Sequence, residues 1–105
     1  MATSLNIAFG SNVVAGNLIS VEIRIGARDR TLTVTDTLTN TYAQSVASAY
    51  STGGGTQSYI YYAANIAGGA NTVTVAISGA NARMGAIIRE ISGLGLGQDL
   101  GMEWR

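Results

Sequence analysis

Ile19-Ser20-Val21-Glu22-Ile23-Arg24-Ile25 decides the fold: four β-branched apolar residues alternate with three polar ones. A period of two puts the apolar set on one face only if the segment is an extended strand. Outward from this stretch the same period recurs. Leu5, Ile7 and Phe9 alternate ahead of the Gly10-Ser11-Asn12 break. After a charged turn over 26–30, Leu32 and Val34 alternate with threonines, and 36–40 reads as a turn into a strand beginning near Tyr42. Residues 42–51 admit a short helix as the alternative reading. Gly53, Gly54 and Gly55 mark a loop; a tyrosine-rich strand follows over 57–65, then Val73, Val75 and Ile77, then 84–91. The last of these is apolar on both faces, which predicts a central position in its sheet.

Seven short strands with turn signals every 8–12 residues or so predict an all-β protein. The expected architecture is an immunoglobulin-like antiparallel sandwich of two sheets, with a jelly-roll-like arrangement as its variant. Residues 1–94 form the domain in this reading, and 95–105 are a tail or a final edge strand. The N-terminus lacks a basic-then-apolar signal peptide, and Met1-Ala2 reads as a start placed before a module cut from something larger.

Composition narrows the function. Of 105 residues only 11% are charged, against about 25% in an average domain. Six arginines balance six acids, so no long-range field steers the chain to nucleic acid or to an anionic membrane. A monomer with a surface of hydroxyls and amides suits a neutral, hydroxyl-rich partner. The chain holds no Cys, His, Lys or Pro. The thiol nucleophile, the commonest general base, the Schiff-base amine and thiolate or imidazole metal ligands are thereby excluded. Glycoside hydrolysis needs a facing carboxylate pair, and the spacing of the six acids suggests none; the chain reads as a binder, not an enzyme.

The binding surface expected from alternation is an aromatic platform. With Ile60, Tyr62 and Ala64 assigned to the core, Tyr59 and Tyr61 point outward together, with Gln57 beside them. Rings at i and i+2 lie about 6.5–7 Å apart and can stack on successive sugar rings. Arg24 and Glu22 would hydrogen-bond the hydroxyls, and Trp104 would extend the platform if the tail docks at the sheet edge. Asp36 and Glu90 each end an apolar strand, where a carboxylate needs an arginine, backbone amides or a hard cation such as calcium. A structural calcium is thus the one cofactor left open, and none is required. The threonines at 31, 33, 35, 37, 39 and 41 would form an ice-ordering ladder only on one unbroken strand, which the turn at 36–40 interrupts.

Four segments carry a resemblance: Ala15-Gly16-Asn17-Leu18-Ile19, Val34-Thr35-Asp36-Thr37-Leu38-Thr39-Asn40-Thr41-Tyr42, the run from Tyr61 to Val75, and Glu90-Ile91-Ser92-Gly93-Leu94. Over residues 5–94 their order resembles immunoglobulin-like modules attached to secreted proteins and carbohydrate-active enzymes of soil bacteria. Within that group the chain looks most like carbohydrate-binding module family 81. The resemblance implies secretion, tethering to a glycoside hydrolase, and binding of β-glucans such as cellulose and xyloglucan. One position departs from the pattern: the usual turn has Gly where this chain has Thr39, so the turn must differ or pass its positive φ to Asn40. The rival expectation is a structural or adhesive spacer on a bacterial surface or phage particle.

Overall fold

The computed structural model describes residues 2–50 and 55–92, the side chains of 46–50 excepted. It holds seven strands: β1 (Ser4–Ala8), β2 (Leu18–Ile25), β3 (Leu32–Asp36), β4 (Ala43–Tyr50), β5 (Gln57–Ala63), β6 (Thr72–Ile77) and β7 (Met84–Ile91). They form two antiparallel sheets in the orders β1-β6-β3 and β4-β5-β2-β7. The protein is an all-β sandwich. The segment at 43–50, for which a helix was the alternative, is strand.

The deciding stretch sits where its pattern demands. β2 lies between β5 and β7, and Ile19, Val21, Ile23 and Ile25 are at most 2% exposed. Facing them, β6 contributes Val73, Val75 and Ile77 and β3 contributes Val34. Full burial of each such side chain stabilises the fold by about 1.5–3 kcal/mol, so these two alternating strands supply most of the sandwich interior.

An immunoglobulin constant-type sandwich orders its strands ABED and CFG. Here β2, β5 and β4 occupy the B, E and D places, and β3 and β6 the C and F places. The first and last strands are exchanged: β7 pairs with β2, and β1 pairs with β6. β7 is accordingly an edge strand, not the central one its two apolar faces predict. Met84, Ala86 and Ile88 pack on the core, while Ile87 stays 54% exposed on the outside.

The turn after β3 resolves the departure at Thr39. Thr39 itself takes φ 59°, so the left-handed conformation is not passed on to Asn40. A backbone bond from Thr39 N to Asp36 O (3.2 Å) closes the turn. Thr37, Thr39 and Thr41 lie beyond the end of β3, which removes the continuous threonine ladder. An L-residue in this region costs about 1–2 kcal/mol, and glycine avoids that cost while losing somewhat more chain entropy on folding. Thr39 is exposed, so Thr39→Gly should stabilise the domain by about 1 kcal/mol, a rise of roughly 5 °C in melting temperature by calorimetry. An unchanged or lower melting temperature would mean that the turn carries no such strain.

Candidate functional site

β5 is where the expected platform and the structure part. Its pairing with β2 sets Ile23 opposite Tyr59 and Ile19 opposite Ala63. Residues paired across an antiparallel ladder share a face, so Gln57, Tyr59, Tyr61 and Ala63 all follow the β2 isoleucines inward. Tyr59 is 5% exposed and Gln57 3%; Tyr61 is half-buried against the core. Burial raises the phenol pKa of both tyrosines above the ordinary value. The inward polar atoms are served: Tyr59 OH donates to Arg30 O (3.4 Å), and Asp29 N donates to Gln57 Oε1 (2.8 Å). The outward pair on β5 is instead Ile60 and Tyr62, each 37% exposed. A stacking platform of Tyr59 and Tyr61 is therefore ruled out by their position. Trp104 lies outside the described residues.

Asp36 and Glu90 are structural hubs. Asp36 Oδ1 accepts from Leu38 N (3.1 Å) and Asn40 N (2.9 Å), and Oδ2 accepts from Asn40 Nδ2 (2.9 Å), Tyr42 OH (2.7 Å) and Asn71 Nδ2 (3.0 Å). The carboxylate caps its own turn and ties it to the approaches of β4 and β6. Burial alone would raise its pKa, but the hydrogen bonds from Tyr42, Asn40 and Asn71 outweigh burial and hold it below the ordinary carboxylate value. Tyr42 moves the opposite way: burial first, then the bond to Asp36 and its charge, push the phenol far above its usual pKa. It stays a donor to Asp36 well beyond the pH at which free phenols ionise. Glu90 Oε2 accepts from Val14 N (2.7 Å) and Asn17 Nδ2 (2.8 Å), fastening the loop before β2 to the end of β7. Of the partners the sequence allowed these two carboxylates, amides are the ones present, joined at Asp36 by a phenol. A calcium ion would have to displace those donors. Among the described residues no three His, Cys, Asp or Glu side chains cluster as metal ligands would.

The surface that gathers the remaining candidates is the outer face of β4-β5-β2-β7. Its register gives rows across the sheet. One runs Ala43, Tyr62, Ser20, Arg89; the next runs Ile60, Glu22, Ile87; then come Ser58, Arg24 and Gly85. Tyr62 stands between two small side chains, Ala43 and Ser20, which leaves room beside its ring. Glu22 and Arg24, both proposed from the sequence, are on this face as expected from alternation. Arg89 Nη1 lies 2.8 Å from Glu22 Oε2, an exposed cross-strand pair worth at most about 1 kcal/mol. Tyr62, Ser20 and Arg89 were not singled out by sequence reasoning. The β2–β5 pairing would have found them, because it fixes the phase of β5 by that of β2.

Compared with protein-family models, with curated proteins and with solved structures, the chain matches none of them, so its fold and surface chemistry are the ground for any functional reading.

Proposed function

We propose that the protein is a non-catalytic polysaccharide-binding module of a secreted bacterial protein, tethered to a glycoside hydrolase, and that it binds β-linked plant cell-wall glucans on the outer face of β4-β5-β2-β7. The observation that carries this reading is Tyr62: an exposed ring between small neighbours on a sheet face, in one row with Ser20 and Arg89 and beside Glu22. A sugar ring stacked there would meet the phenol through its axial C–H groups, with hydroxyl and charged partners in the same and adjacent rows. The sequence resemblance supports the same ligand class. No metal or other cofactor takes part in such binding.

Titration with neutral β-glucan oligosaccharides, together with retention on insoluble cellulose, tests the reading. Tyr62→Ala should weaken binding about tenfold, the loss of one stacking contact of roughly 1–1.5 kcal/mol. Retention equal to that of the unaltered protein would remove this face as the binding surface. A folded protein that retains no glucan at all would sink the sugar assignment.

A second reading has its own observation. Ile60 and Tyr62 leave apolar surface side by side on β5, with Ile87 beyond Glu22 on the same face, and exposed apolar groups gathered on one face mark protein-docking surfaces. On this reading the domain is a spacer or adhesive unit of a bacterial surface or phage protein. It predicts that Ile87→Arg weakens a protein contact and leaves any glucan affinity unaltered.

A further inference from the structure

At one end of the same sheet face, the ladder between β2 and β7 places Arg24 directly opposite Gly85. One step further, Gly26 N donates to Arg83 O at 2.8 Å, so Arg83 lies across from Gly26. The four residues make a checkerboard, arginines on one diagonal and glycines on the other. Each guanidinium thus rises beside a position with no side chain. The result is a groove of about 210 Å³, to which Thr56 and Met84 also contribute. That is smaller than the roughly 300–1,000 Å³ of sites that enclose a whole small molecule; it fits a substituent.

Among the described residues no carboxylate pairs with the arginines of this groove. Arg24 and Arg83 are both exposed, and diagonal partners on a sheet stand only about 7–8 Å apart. Glu22, two residues from Arg24 on the same face, is engaged by Arg89. The other nearby end of the fold uses its arginine internally: Arg30 Nη1 donates to Ser78 O (2.7 Å) and Ala80 O (2.6 Å). Among the described residues neither the Arg24 nor the Arg83 guanidinium has a hydrogen-bond or ion-pair partner. Two like charges held side by side in a nearly neutral protein are unfavourable until an anion joins them. Paired guanidinium forks match a planar carboxylate well.

We propose that this groove is a carboxylate subsite, and that the ligand of the sheet face is a β-linked polysaccharide bearing uronic acid groups. The inference rests on the reading of that face as a polysaccharide surface. Ser20, beside Tyr62, and Arg24 are four residues apart on β2, about 13 Å. A chain lying along the strand therefore spans more than one sugar ring between the stacking tyrosine and the arginines. The sugar backbone crosses Tyr62 while a uronate carboxylate is received by Arg24 and Arg83.

The test uses a glucuronate-substituted β-linked oligosaccharide and the same oligosaccharide after reduction of its carboxyl groups to alcohols, each titrated calorimetrically into the whole chain. The acidic form should bind at least about tenfold more tightly, with the difference shrinking as salt rises. Arg24→Gln/Arg83→Gln should bring the acidic form down to the affinity of the reduced one, with no change in melting temperature. Tyr62→Ala should weaken both forms equally. Equal affinity of the two forms for the unaltered protein would overturn the subsite and leave the sheet-face reading standing. An acidic preference that survives loss of both arginines would overturn it too, since the carboxylate would then bind elsewhere. Binding of neither form would overturn both the subsite and the polysaccharide reading.

Discussion

Asp36→Asn should lower the stability of the domain by about 3 kcal/mol at neutral pH, read as a lower denaturant midpoint with unchanged slope. Three donors, from Asn40, Tyr42 and Asn71, converge on Oδ2 and two backbone amides on Oδ1. An asparagine keeps one acceptor oxygen and sets an NH₂ group against the donors at the other. Hydrogen bonds to a charged acceptor contribute about 1.5–3 kcal/mol each, and losses within one network do not add in full. The pH dependence follows from the lowered pKa of Asp36. The folded state binds its proton less readily than the unfolded chain, whose carboxylates titrate near about pH 3.9. The stability Asp36 contributes is therefore fully present above that pH and is lost as pH falls through the folded-state value. Melting curves of the two proteins should converge in acid and diverge toward neutrality. A gap independent of pH would show that the charge of Asp36 contributes nothing and that shape alone accounts for the loss.

Tyr59→Ala should cost about 3–4 kcal/mol, whereas Tyr62→Ala, only three residues on, should change stability by no more than about 0.5 kcal/mol. Tyr59 is 5% exposed within the core cluster and Tyr62 is 37% exposed outside it. Thermal melts of the two variants separate them directly; comparable losses would mean that the phase of β5 is not the one described. The contrast also governs how binding experiments are read. Weaker binding by a Tyr59 variant reports a damaged fold, and only Tyr62 reports on the surface.

The strands were legible because alternation survives without any partner. β2 has isoleucine or valine at every inward position and a polar residue at most outward ones, so its phase is unambiguous. β7 was located to the residue, yet its place in the sheet was misjudged. Apolar residues on both faces signal a central strand only when both faces are covered, and Ile87 is left open on an edge. β5 failed for a different reason. Tyr59 and Tyr61 alternate with Ile60 and Tyr62, so the two faces are nearly matched in hydrophobicity and the strand carries no phase of its own. The ladder to β2 breaks that tie, and the core then accepts even Gln57, because Asp29 N meets its carbonyl. Asp36 was recognised as a carboxylate in need of partners, backbone amides among them, but the reach of Tyr42 and Asn71 to it joins residues up to 35 positions apart, a relation that no local pattern encodes. The arginine groove was hidden for the same reason: Arg83 and Gly26 become neighbours only when β2 and β7 pair.

The exchange of the first and last strands also sets how the domain would carry load. β1 starts beside the end of β6 and the approach to β7, where Ala2 bridges Ala82, and β7 ends at the far side, where Glu90 holds Val14 and Asn17. The two outermost strands in sequence thus run the same way, and each is sewn into a different sheet. Tension applied at Ser4 and Ile91 would pull along both strands, across ladders whose hydrogen bonds lie perpendicular to them. Those bonds would be strained together, in shear, and neither strand could peel away rung by rung.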